Sequence, residues 1–192
     1  MKHPPPSPPA PCGGIPRHHS GERNLDDLTR IVIHSAVMDC KPGAARLLAK
    51  WCAEGTTMGS WHYGVDPDET TQCAWDRFVC WHAPPNGGSL GIEMADRPAL
   101  GATGMARWAL PRQRRMLKRA AELTAELCLA YDIPAVLLTP AGLKEGRRGI
   151  ATHNSVSDAF HQSTHWDPGA WPRTRFMRMV RDHITHLEES RK

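Results

Sequence analysis

The sequence predicts a single α/β domain, with a central mixed β-sheet flanked by about three main helices. Three observations predict it. Short β-branched runs recur along the chain, as buried strands require. Amphipathic stretches of helical period are interleaved with them. A length of 192 residues suffices for one domain with a real core and not for two large ones.

Residues 1–16 hold seven prolines and two glycines. They have little to bury, so residues 1–20 are expected to form a flexible arm and residues 21–192 the folded domain, including a C-terminal helix. Leu28 to Ile33 reads as a buried strand ending at His34. Pro42 opens an amphipathic helix whose apolar face is Ala45, Leu48, Ala49 and Cys52, stopped by Gly55. Trp61 to Val65 and Thr70 to Trp75 are strand-like around the Asp66-Pro67-Asp68 turn, and Phe78 to His82 is a further short strand. A Pro84 to Gly88 loop leads to a strand from Leu90 to Met94 that carries Glu93. Pro111 starts the longest helix, to about Tyr131, with a stripe of Met116, Ala120, Leu123, Leu127 and Ala130. Ala135 to Leu138 reads as one more strand, and Trp171 to Leu187 as a helix burying Phe176, Met179, Val180 and Ile184.

A hydrophobic content of 40% with 23% charged residues is that of a soluble globular chain. Apolar runs are too short for a membrane span, and the N-terminus lacks the apolar centre of a secretory signal. Synthesis in the cytoplasm follows as an expectation, any action outside needing another exit. The net charge is +4. Basic runs at Arg112–Arg119 and Arg173–Arg181 suit either a polyanion or a solvated helix face. The six cysteines form no Cys-x-x-Cys pair, which argues against a thiolate zinc finger. Reduced core cysteines are expected, although Cys73 and Cys80 would face each other across a hairpin turning at Asp76-Arg77.

The chemistry gathers at two distant segments. His34 ends a strand, while His153 and Asp167 sit in polar or Gly/Pro-punctuated loops, Asp167 just before Pro168-Gly169. Two imidazoles and a carboxylate form a zinc tripod with one open position, in a surface cleft; isolated structural histidines are the alternative. Glu93 within an apolar strand is either solvent-facing on an edge or a general base of raised pKa.

Five segments in order carry a resemblance. They are Ile31-Val32-Ile33-His34-Ser35-Ala36, Ser60-Trp61-His62-Tyr63-Gly64-Val65-Asp66, Cys80-Trp81-His82-Ala83, Ser89-Leu90-Gly91-Ile92-Glu93-Met94, and His153 with Asp167-Pro168-Gly169. Over residues 28–172 the chain resembles the zinc-dependent type-2 N-acetylmuramoyl-L-alanine amidases, which include phage lysozyme-like amidases and peptidoglycan recognition proteins. The resemblance implies that His34, His153 and Asp167 hold Zn²⁺ and that Glu93 is the catalytic glutamate. The reaction it implies is hydrolysis of the amide between the lactyl group of N-acetylmuramic acid and L-alanine in peptidoglycan.

Two positions depart from the family. Where a lysine often stabilises the oxyanion stands His165, whose charge would titrate near neutral pH and fail at alkaline pH. Where some relatives have an active-site tyrosine stands Trp61; an indole is neither acid nor base, so that role is lost or moves to Glu93, and packing on substrate is open to Trp61 instead. His82 is expected to line the substrate groove and Asn86 to bind substrate or hold its turn, while His62 reads as a core or supporting residue.

The resemblance points to a monomeric phage endolysin that acts on the bacterial cell wall after release through a membrane pore, with neither nucleic acid nor membrane insertion involved. A cytoplasmic amidase recycling muropeptides, or a non-catalytic peptidoglycan-binding module, are the alternatives.

Overall fold

The computed structural model describes residues 14–191. Its centre is a five-stranded sheet in the order β4-β3-β6-β2-β7, formed by β2 (Arg30–Val37), β3 (Tyr63–Val65), β4 (Thr70–Gln72), β6 (Ser89–Asp96) and β7 (Gly149–Thr152). Strands β3, β6, β2 and β7 run parallel and β4 runs antiparallel on the edge, so the sheet is mixed. A separate antiparallel pair joins β1 (His19–Glu22) to β5 (Phe78–Cys80).

Strand alternation assigns the two faces. Ile31 and Ile33 of β2 lie beside Leu90 and Ile92 of β6, and these four are fully buried in the main core. The long helix α3 (Pro111–Ala130) covers that face, with Met116, Leu117, Ala120 and Leu127 buried, and α6 (Arg173–Glu189) packs on α3 through Phe176, Met177 and Val180. On the opposite face α1 (Ala44–Glu54) lies over β3 and β6. Its approach is close enough that a Cβ on Gly64 would meet Ala45 O at 3.0 Å. Val32 and Ala151 turn to this same face and form a second apolar cluster with Val156 and Ala159 of α5 (His153–Phe160) and Leu143 of α4 (Pro140–Lys144). The short α2 (Gly101–Ala106) and a 3-10 turn at Arg107–Ala109 connect β6 to α3.

Most expected elements occur, β3, β4 and β5 being shorter than expected and β2 and β6 running on to Val37 and Asp96. The exceptions have local causes. Ala135–Leu138 is not a strand but a single bridge, Leu137 to Ile150, following the Pro134 turn. His153 is not in a loop: β7 runs directly into α5, whose first turn is capped by Thr152 Oγ1 accepting from Ser155 N–H at 3.1 Å. Cys73 and Cys80 do not face each other across a hairpin, because β4 pairs with β3 and β5 with β1. The five described cysteines are free, and burial pushes the Cys52 thiol up to about 11. Cys12 and most of the expected arm lie outside the described residues, but the arm's last residues are packed. Arg17 N–H donates to Cys52 O at 3.0 Å, and His19 and Ser20 belong to β1. The described domain therefore extends back to Gly14, ahead of the expected boundary at residue 21.

Candidate active site

A cleft of about 930 Å³ opens on the α1/α5 face, beyond the carboxyl ends of β2 and β7. Open α/β sheets place ligands at such strand ends, and the volume is that of a small-molecule or peptide site. Its floor carries His34, Glu93, His153 and Asp167, and its rim the exposed Val37, Met58, Trp81 and Trp166.

The parallel register of β2 and β6 sets His34 beside Glu93, while Thr152 lies opposite Ile33, so His153 emerges next to His34. Their rings are 4.7 Å apart. The loop following α5 brings Asp167 between them. His34 Nδ1 is 3.3 Å from Asp167 Oδ2, and His153 Nδ1 is 3.1 Å from Oδ1. Tetrahedral coordination with bonds of ~2.1 Å needs donors roughly 3.4 Å apart. Among the described residues these three donors form the one such group, all within 4.8 Å of one another.

The remaining ring nitrogens have partners. His34 Nε2 lies 3.0 Å from His82 Nδ1, and His153 Nε2 lies 3.1 Å from Ser163 Oγ. Both histidines therefore present Nδ1 to the cleft, the arrangement of metal-ligating histidines oriented from behind. The donor set fits a divalent cation with a coordination position left for water or substrate.

Electrostatics separate the two carboxylates. Burial raises the Asp167 carboxyl, but hydrogen bonds from His153 and His34, and their charges, outweigh it and hold the group well below the usual range. Burial, then the Asp167 charge, pushes Glu93 well above the ordinary value. Glu93 Oε2 is buried with no hydrogen-bond partner among the described residues, and Oε1 is 3.8 Å from His34 Nδ1. An unpaired buried carboxylate is costly and marks a group kept for chemistry.

His165 stacks on His153, with centroids 4.6 Å apart and planes at 13°, while its side chain stays 68% exposed. Burial and the nearby His153 lower its pKa, so a neutral imidazole with an N–H donor is the form present at neutral pH.

The three residues expected at the substrate groove, Trp61, His82 and Asn86, all line the cleft, and each is also held by contacts within the protein. Trp61 forms part of the cleft wall but is 6% exposed and packed into the core, its N–H buried without an acceptor among the described residues. His82 touches the cleft, yet both its ring nitrogens are engaged, Nδ1 with His34 and Nε2 with Ser89 Oγ at 3.2 Å. Asn86 Oδ1 accepts from the N–H groups of His82 and Ala83 at 3.1 and 2.8 Å, holding the turn. His62 is a core residue: its Nδ1 accepts from Gly91 N–H at 2.9 Å and its Nε2 meets Phe78 O at 3.0 Å. Ser163 behind His153 and the contact of Ser89 with His82 have no local sequence pattern that links them to these histidines.

A deep cleft at parallel strand ends, with two histidines and a carboxylate converging beside a buried glutamate, defines a metallohydrolase-like site. The model of the N-acetylmuramoyl-L-alanine amidase family matches residues 24–170, and the chain belongs to this family of peptidoglycan amidases. Comparison with curated protein sequences finds no match. Among solved structures, the Staphylococcus aureus hydrolase AmiA, in complex with its ligand, superposes with a TM-score of 0.70 at 13% identity, over 95% of this chain and 87% of that one. The Clostridium intestinale endolysin LysCS, an N-acetylmuramoyl-L-alanine amidase, gives 0.55 at 13% identity over 94% and 99% of the two chains. A mutant endolysin from Bacillus subtilis gives 0.54 at 17% identity, covering 88% and 97%. At these identities the likeness establishes the fold.

Proposed function

We propose that the chain is a zinc-dependent cell-wall lytic enzyme of the endolysin type, hydrolysing the amide between N-acetylmuramic acid and L-alanine. The observation that carries this reading is the convergence of His34 Nδ1, His153 Nδ1 and the Asp167 carboxylate beside the unpartnered Glu93 Oε2. His34, His153 and Asp167 would hold the ion. Zinc supplies Lewis-acid polarisation of the scissile carbonyl and of the attacking water at neutral pH. Glu93 accepts the proton of that water on Oε2 and delivers it to the departing amine of L-alanine. His165 offers an N–H to the charge growing on the carbonyl oxygen. The exposed faces of Trp81 and Trp166 on the rim provide apolar surface for sugar rings.

The endolysin reading draws support from the endolysins among the structural neighbours. No helix among the described residues is long and apolar enough to cross a membrane.

Mass spectrometry of digested peptidoglycan tests the reaction. Free L-alanine amino termini on intact stem peptides are expected, lost on chelation and restored by zinc. Clearing of a wall suspension is expected as well; turnover confined to soluble anhydro-muropeptides would instead make the chain a recycling amidase. Wall binding without cleavage in the zinc-loaded protein would overturn the enzymatic assignment.

A further inference from the structure

Asp167 differs from His34 and His153 in belonging to no strand or helix. Something other than regular structure must fix its carboxylate. Two backbone contacts hold the residue itself: Ser35 N–H donates to Oδ2 at 3.2 Å, and Asn154 N–H donates to its carbonyl at 3.0 Å. The next residues are held by the side chains of Arg107 and Trp108, and by Ala170 N–H donating to Ala99 O at 2.8 Å. Arg107 donates from Nη2 to Pro168 O at 2.9 Å and from Nη1 to Ala170 O at 2.8 Å. Trp108 Nε1–H donates to the same Ala170 carbonyl at 2.9 Å.

Arg107 is anchored in turn at the end of β6. Its Nε donates to Asp96 Oδ2 at 2.9 Å, and Nη2 lies 2.8 Å from the same oxygen. The two side chains are 12% and 2% exposed, a buried ion pair. Asp96 Oδ2 also accepts from Ser35 Oγ at 3.4 Å, and Ser35 is the residue whose N–H holds Asp167. The contacts close a ring: Arg107, the 168–170 turn, Asp167, Ser35, Asp96 and back to Arg107.

We infer that Arg107, paired with Asp96, is the positioning residue of the Asp167 metal ligand, setting the reach of its carboxylate toward His34 and His153. The chemistry calls for arginine. One planar guanidinium grips a carboxylate and three carbonyls at once, those of Gly104, Pro168 and Ala170, whereas a lysine ammonium supplies a point charge on a flexible stem. Outer partners of metal ligands commonly change metal affinity by about 10–100-fold. Because the inference rests on the zinc reading above, its test must separate the two.

The test measures zinc dissociation by competition with a chromogenic chelator, alongside thermal unfolding, in the full chain. Arg107→Lys and Asp96→Asn are expected to weaken zinc binding at least ~10-fold. Ser35→Ala, which leaves the buried charges paired, should weaken it a few-fold and covers the case in which either charge variant fails to fold. Val180→Ala, buried at the α3/α6 contact away from the cleft, is the stability control. Its zinc affinity should match wild type although its melting temperature falls. Wild-type affinity in the folded Arg107, Asp96 and Ser35 variants would overturn the inference, as would an equal loss in Val180→Ala. A wild-type protein that takes up no zinc would overturn the metal reading as well, and is recognisable before any variant is made.

Discussion

His34 Nε2 lies 3.0 Å from His82 Nδ1, and this contact decides which nitrogen of His34 faces the cleft. Ser89 Oγ donates to Asn86 O at 2.9 Å, so its lone pairs face His82 Nε2 at 3.2 Å. His82 then carries its proton on Nε2 and accepts on Nδ1. The donor to Nδ1 must be His34 Nε2–H, which leaves His34 Nδ1 free to bind a metal. Burial, followed by the charges of His34 and His62, holds the His82 pKa well below its ordinary value, so the ring stays neutral and the chain keeps its direction.

His82→Ala is therefore expected to lower zinc affinity by about 10–100-fold, while the protein stays folded. Gly91→Ala tests the same link from the backbone, because a Cβ there would meet the His82 ring at 2.8 Å. Chelator competition and kcat at saturating zinc measure both variants. If His82→Ala bound zinc as tightly as wild type, the relay would have no role.

The site was legible in kind but not in its supports. Buried parallel strands appear as continuous apolar runs, so Ile31 to Ile33 and Leu90 to Met94 marked β2 and β6, and with them His34 and Glu93. The α3 stripe was equally plain. Strand β1 was hidden because His19–Glu22 is polar and half exposed, held by its partner β5. The β7–α5 junction did leave a signal, Thr152 three residues before Ser155, but the helix is too short to show a period. The supports of the ligands are tertiary. His34 and His82 are 48 residues apart, and Arg107 and Pro168 61, separations at which no periodicity operates.

Glu93 bears a cost that the proposed role as base explains. Its pKa is raised above the ordinary 4.5, so the folded state disfavours the charged form. That penalty is absent below pH 4.5 and grows as pH rises toward the raised folded value. Glu93→Gln should therefore raise the melting temperature of zinc-free protein at pH 7 and not at pH 4. The same variant should lose about 10²–10⁴-fold in kcat while still binding zinc. Wild-type kcat in Glu93→Gln would remove it as the base.

His62 supplies an acid-sensitive element in the core. Burial first, then Arg23, lowers its pKa to about 3 from 6.5. Between these values the unfolded chain takes up a proton that the folded chain refuses, so stability falls as pH drops. One such group contributes a slope of ~1.4 kcal/mol per pH unit. Denaturant unfolding of zinc-free protein from pH 6.5 to 4 should show His62→Gln less stable than wild type at pH 7, but with a slope shallower by about that amount. Equal slopes would assign the acid sensitivity to other histidines.

Substitution of His165 tests the proposed catalysis separately from the proposed metal binding. Its ring stacks on His153 without replacing any of the contacts proposed for the metal, and its lowered pKa suits the proposed role of neutral N–H donor. His165→Ala should keep wild-type zinc affinity and lose about 10²-fold or more in kcat, with little change in KM. A neutral donor does not lose its proton on mild alkalisation, so the decline expected of a charged imidazole should be absent. The kcat profile of wild type should show no fall from pH 7 to 9. A fall across that range that His165→Lys abolishes would show that the imidazolium, not the neutral ring, stabilises the oxyanion.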